Sequence, residues 1–155
     1  MNKIIAAERG VNMNDDTIKL LRECNAGVKM GISAINDVLD NIEDNKLKDI
    51  LKGSRERHER MGDETHKLLT EYHDDGKEPA AMAAIMAKVK TNMKMMKEEA
   101  DKAAADLITD GCNMGIKSLY KYFNQYPAAE EKVKKLAKRI IDEEESLRGE
   151  LRVYL

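Results

Sequence analysis

The chain has 155 residues, enough for one domain with a buried core. It is 42% apolar, 36% charged and only 4% aromatic, with no Trp and two Pro, which disfavours a turn-rich all-β fold and favours helices. A net charge of −2 excludes a broad electrostatic nucleic-acid binder, and no apolar run reaches the roughly 20 residues of a membrane span.

Residues 1–13 show no period and are expected to trail over the surface. The first residues do not match a secretory signal, and two Cys beside ten Met fit a reducing compartment, so a cytoplasmic location is expected. A first helix follows, with Asn14 as N-cap and Asp15 and Asp16 in its first turn. Ile18, Leu21, Val28, Ile32, Ile35, Leu39 and Ile42 recur every three or four residues, the seam of a bundle helix.

A second helix is expected from about Asp44 to Tyr72, along Leu47, Leu51, Ser54, His58, Met61, Thr65, Leu68 and Tyr72. This seam is apolar at both ends and polar in the middle. Gly76 is expected to end the helix in a left-handed C-cap. Pro79 opens a further helix whose stripe is Met82, Met86, Val89, Met93 and Met96. Helical periodicity continues through Leu107, Ile108, Ile116, Leu119 and Phe123 to Tyr126. A single helix over 79–126 would be about 70 Å long, against about 42 Å for each of the first two. A break is therefore expected near Glu98–Asp101, with Asp101 as N-cap. Pro127 opens the last helix, along Val133, Leu136, Ile140, Glu144, Leu147, Leu151 and Tyr154.

The two halves of the chain match. Cys24-Asn25-Ala26-Gly27-Val28-Lys29 recurs 88 residues later as Cys112-Asn113-Met114-Gly115-Ile116-Lys117. The second and fourth helices match at an offset of 86 residues, Leu47, Ile50 and Met61 pairing with Val133, Leu136 and Leu147. The chain thus reads as a hairpin over 14–73, a crossover over 74–100 and a hairpin over 101–155. The helix at 79–97, about 28 Å long, is expected to lie along the bundle and to return the chain to the end where the first helix began. The first and third helices are expected to run antiparallel. This is an all-α, ferritin-like four-helix bundle of two hairpins joined by a crossover with an extra helix.

Leu21-x-Glu23-Cys24-x-x-Gly27, Asp44-x-x-Leu47-Lys48 and Cys112-x-x-Gly115 followed by Tyr120 resemble the ferritin-like four-helix-bundle family of unknown function DUF2383, over about residues 14–155. The resemblance implies the ferritin-like fold and no established reaction.

A di-iron bundle needs a Glu from each of two helices and a Glu-x-x-His pair from each of the other two. No Glu-x-x-His occurs in the chain. The inward mid-seam positions read Asn25 and Val28, His58 and Met61, Asn113 and Ile116, Glu144 and Leu147. Glu144 is their one carboxylate, too few to balance two iron cations, so the di-iron site is expected to be absent. His58 and Glu144 could hold a single iron, zinc or manganese ion, with Asn25 and Asn113 beside them. The favoured reading is a metal-free buried pair, since buried polar groups find partners with or without a metal. His66 and His73 fall off the seam. Cys24 and Cys112 read as buried free thiols. Gly27, Gly31, Gly111 and Gly115 suggest a close approach of the first and third helices, a π-bulge being the rival account.

The Met stripe either packs the 79–97 helix onto its own bundle or offers a pliable surface to a protein partner. These readings add up to a non-enzymatic structural or interaction protein without a cofactor. It is expected to form a homo-oligomer, with a dimer favoured, and to bind neither nucleic acid nor membrane. The alternative is a metal-binding relative retaining one weak mononuclear site.

Overall fold

The computed structural model describes residues 13–76 and 99–155. Among them there are four long helices and no strand: α1 (Met13–Leu39), α2 (Asn45–Glu71), α3 (Ala100–Gln125) and α4 (Glu131–Leu151). A short 3-10 turn over Arg152–Tyr154 follows α4. The four pack as a bundle whose sides are α1–α2, α2–α4, α4–α3 and α3–α1, with α1 and α4 also touching across the diagonal. No described helix is long and apolar enough to cross a membrane. The expected helix at 79–97 and residues 1–12 of the expected 1–13 tail lie outside the described residues; Met13 belongs to α1.

Apolar side chains at steps of three and four give each helix one buried stripe. α2 buries Leu47, Leu51, Ser54, His58, Met61, Thr65 and Leu69; Leu69, not Leu68, completes the seam. α4 buries Val133, Leu136, Ile140, Glu144, Leu147 and Leu151 in the expected register, with Ala137 and Ile141 alongside. α3 buries Ala100, Ala103, Ala104, Ala105, Ile108, Cys112 and Leu119. Its line of burial passes through Cys112, so Asn113, one residue and about 100° round the helix, faces out.

Hydrogen bonds between helix ends fix the directions. Asp101, in the first turn of α3, accepts from the backbone N–H groups of Glu43 at 2.8 Å and Asp44 at 3.0 Å. The start of α3 therefore lies beside the α1–α2 turn. Asp16 accepts from Ala128 N–H at 3.0 Å and Thr17 Oγ1 from Glu130 N–H at 2.9 Å, placing the α3–α4 turn beside the start of α1. α1 and α3 thus run antiparallel. Arg22, in the first half of α1, grips both carboxylate oxygens of Asp74, so the chain after α2 lies beside that half of α1. The chain re-enters at the other end, where α1 finishes. That corrects the expected landing point, since an antiparallel α3 must begin where α1 ends.

The helix ends differ from the sequence expectations in four places. α1 starts at Met13, which leaves Asn14 inside the helix. α2 is capped at its start by Asp44, whose side chain accepts from Leu47 N–H at 2.8 Å, as the spacing suggests. It ends at Glu71, and His73, not Gly76, takes the left-handed position with φ 57°. His73 N–H donates to Thr70 O and Asp74 N–H to Leu69 O, which closes a Schellman motif. Gly76, at φ 84°, comes three residues later in a turn closed by Asp74 Oδ1. Asp101 is not the N-cap of α3: Glu99 holds that position without a side-chain bond, and Asp101 reaches across to the α1–α2 turn. Pro127 does not open α4, which starts at Glu131; residues 127–130 form the turn held by Asp16 and Thr17.

Candidate functional site

The apolar core is two clusters. One gathers Ile35, Val38, Leu47, Leu51, Ile108, Leu147 and Leu151 at the end where α1 finishes. The other gathers Leu20, Leu21, Val28, Leu69, Leu119, Val133 and Ile140 at the end where it starts. Between them each helix contributes one residue that is not apolar bulk: Gly31 from α1, His58 from α2, Gly115 from α3 and Glu144 from α4. This layer is the candidate site.

His58 is 1% exposed and Glu144 8% exposed. His58 Nε2 lies 2.6 Å from Glu144 Oε1. His58 Nδ1 lies 2.8 Å from the carbonyl oxygen of Ser54, one turn back on α2. A carbonyl only accepts, so Nδ1 carries a proton. Nε2 then shares the second proton with the Glu144 carboxylate. Burial is the largest single influence on the imidazole and pulls its pKa down. The hydrogen bond and charge of Glu144, the Ser54 carbonyl and the charge of Glu143 together outweigh it, and the pKa ends above 6.5. The geometry favours an imidazolium held by a carboxylate.

The glycines are shaped around this pair. A Cβ on Gly31 would stand 2.9 Å from His58 Cδ2 and 3.0 Å from Nε2. A Cβ on Gly115 would meet only the Glu144 carboxylate, at an ordinary 3.7 Å. Gly27 and Gly111 have nothing within 4 Å. The four glycines therefore do not mark a close approach of α1 to α3. Gly31 makes room for a ring from α2, and Gly115 faces a carboxylate from α4.

A second layer connects the pair to the surface. Ser54 Oγ donates to Glu143 Oε1 at 2.9 Å, and Arg57 Nε donates to Glu143 Oε2 at 2.8 Å. Glu143 and Arg57 line an open cleft of about 400 Å³ between α2 and α4, with Arg60, Met61, Arg139 and Asp142. On the α3 side the Cys112 thiol lies against Glu144. Burial first, then the Glu144 charge and hydrogen bond, push the thiol pKa well up, which keeps the group protonated and unreactive. Burial likewise raises Cys24 to about 12. Both thiols are free and buried, in separate core clusters. Thr109 Oγ1 is the one buried side-chain nitrogen or oxygen among the described residues without a hydrogen bond, so the polar centre is satisfied by its own side chains.

Of the four residues singled out as metal donors, only His58 and Glu144 meet. Asn25 is buried, but against Gly76 at the middle of α1, about 9 Å along the helix from Gly31. Asn113 is exposed and accepts a hydrogen bond from Arg148 at 2.9 Å. On α3 the seam runs through Cys112, which turns Asn113 outward; on α1 Cys24 and Asn25 are both buried, and Asn25 simply lies too far along the helix to reach the pair. The same phase of α3 brings the buried Cys112, not Asn113, beside Glu144. His66 and His73 are exposed.

A di-iron centre does not fit these donors. Two ligands on one ion at about 2.0–2.2 Å from it stand roughly 3 Å or more apart. His58 Nε2 and Glu144 Oε1 are at hydrogen-bond distance instead, and the layer holds no second carboxylate. Among the described residues no group of three or more His, Cys, Asp or Glu side chains is placed to hold a metal ion. Compared with known protein families, curated proteins and solved structures, the chain matches none.

Proposed function

We propose that this chain is a ferritin-like bundle that acts without catalysis, as a cytoplasmic structural or protein-interaction module working as a homodimer. The ferritin-like assignment rests on two hairpins whose connection leaves from beside the first half of α1, where Asp74 meets Arg22, and re-enters at α3 beside the finish of α1. The non-catalytic reading rests on one observation above the rest. The donors at the bundle centre are consumed by each other, His58 by Ser54 and Glu144 by His58. A site for chemistry keeps a group free to meet substrate, and the buried groups of this layer have partners.

One feature favours a second reading, a weak mononuclear iron, zinc or manganese site. His58 and Glu144 are buried side by side at the bundle centre, two donor side chains that one ion could bridge, with no third His, Cys, Asp or Glu among the described residues placed to complete the set. Elemental analysis of protein purified without a His tag separates the two. The first reading expects no stoichiometric metal and no iron oxidation on adding ferrous salt. One equivalent of retained iron, zinc or manganese, lost on replacing Glu144 by Gln, would establish the second. Light scattering tests the dimer.

A further inference from the structure

We propose that the outer face of α3 and α4, next to the turn that joins them, docks an acidic amphipathic helix of a partner protein. This deepens the interaction reading above and rests on it. Lys117 and Lys121 on α3 and Lys135 and Lys138 on α4 are all exposed there. None forms an ion pair with a carboxylate among the described residues, whereas their neighbours do: Arg139 holds Glu64, Lys132 holds Glu71 and Lys134 holds Glu131. The Lys138 ammonium lies 4.7 Å from the centre of the Tyr120 ring and 5.0 Å from that of Phe123, which joins the two helices into one stripe.

The same stripe carries apolar anchors. Among the described residues the exposed large apolar side chains are Met114, Tyr120, Val153 and Leu155. The last two follow α4; on the helices themselves only Met114 and Tyr120 remain, and both stand beside Lys117 on the outer side of α3. An aromatic and a methionine ringed by charge form a surface that holds a partner through buried anchors and a polar rim.

The limits of the stripe select the partner. Asp110 on α3 and Asp142 and Glu145 on α4 are exposed beyond one end, and Glu131 beyond the other. The basic stretch between them is about two helical turns, roughly 11 Å. A nucleic acid or an anionic bilayer extends past it and meets those carboxylates, on a chain whose net charge is already −2. A helix with a few carboxylates around one or two apolar residues fits inside the limits.

The probe is a labelled helical peptide of Glu, Ala and Leu, with leucines on one side and glutamates flanking them, titrated with the full chain at low and high salt. Binding should weaken with salt and fall about tenfold or more in the Lys121→Glu, Lys138→Glu double variant. Tyr120→Ala should weaken it as well. The Lys46→Glu, Lys52→Glu double variant, with the same charge change on exposed sites of α2, should bind as wild type. Circular dichroism melts confirm that each variant is folded. Absence of peptide binding, equal loss in both double variants, or tighter binding of oligothymidylate or phosphatidylserine vesicles than of the peptide would overturn the proposal. So would a salt-sensitive dimer abolished by Lys121→Glu with Lys138→Glu, since the stripe would then be covered by a second copy. Stoichiometric metal would remove the interaction reading and leave peptide binding intact. Failed peptide binding in metal-free protein would remove this surface and leave that reading to another face.

Discussion

Asp16 and Asp101 perform the same task from opposite ends of the bundle. Each sits in the opening turns of the first helix of its own hairpin, and each accepts a backbone hydrogen bond from the turn of the other hairpin, Asp16 from Ala128 and Asp101 from Glu43. Both donor and acceptor are displaced by 85 residues between the two contacts. A second exchange follows the same symmetry. The Tyr154 hydroxyl donates to Asp44, the residue before α2, and the Tyr72 hydroxyl is hydrogen-bonded to Glu130, the residue before α4. The internal duplication is thus built into the contacts that lock the hairpins together, and His58 and Glu144, 86 residues apart, meet where the two halves face each other.

These locks give the first prediction. Asp101→Ala removes acceptors from two backbone N–H groups, and Asp16→Ala from one. Losing such a cap costs about 0.5–2 kcal/mol. Asp101→Ala should be the more damaging, and because the sites lie at opposite ends of the bundle the double variant should equal the sum within about 0.5 kcal/mol. Urea denaturation reads both. Sub-additive losses would show that the two turns do not act independently.

The glycines give a second prediction, with opposite signs within one set. Gly31→Ala drives a methyl group against the His58 ring, which is pinned from both sides and cannot step back. Overpacking of this kind costs about 1–3 kcal/mol. Gly27→Ala and Gly111→Ala meet nothing, so they should stabilise by about 0.5–1 kcal/mol through helix propensity alone. Thermal melts of the three variants decide it, and a uniform shift would contradict the packing described for Gly31.

The sequence shows the seams of α2 and α4 plainly, because their apolar residues are large and evenly spaced. His58 and Glu144 fall on those seams, and so the site pair is readable before any coordinates. α3 is different. Ala100, Ala103, Ala104 and Ala105 are small enough for either face and give the helix no phase, so the polar Asn113 and the buried Cys112 exchange places in the reading. The caps are hidden for another reason. Asp101 bonds to residues 57 and 58 positions earlier, and no local pattern records that distance. A glycine in a helix shows that space is needed, without naming the side chain that fills it.

The imidazolium gives a pH dependence. The folded-state pKa of His58 lies above its unfolded value near 6.5, so the folded protein holds the proton more tightly. The stability linked to that proton is complete below pH 6.5 and is lost as the pH rises through the folded pKa. Wild type should therefore lose melting temperature as the pH rises above 6.5. In His58→Gln that part of the slope should vanish. Melting curves across this range, compared between the two proteins, check the sign; parallel profiles would mean that His58 carries no linked proton.

The last prediction separates a pair from a metal site by its pattern of recovery. His58 and Glu144 lie among apolar clusters on either side, and each is the solvation of the other. Glu144→Leu leaves an imidazolium facing leucine, and His58→Leu leaves a buried carboxylate beside the Cys112 thiol. Breaking a buried ion pair from one side costs about 3–5 kcal/mol. Replacing both with leucine removes the uncompensated charge and continues the apolar core between the two clusters, so the double variant should regain most of that loss. The remaining deficit should come from Ser54, whose carbonyl loses the His58 N–H, while Ser54 Oγ keeps Glu143. A metal-dependent bundle behaves differently: the double variant stays as unstable as the singles, and chelator lowers the melting temperature of wild type but not of the double variant. The expected result is recovery, with chelator leaving every melting temperature unchanged.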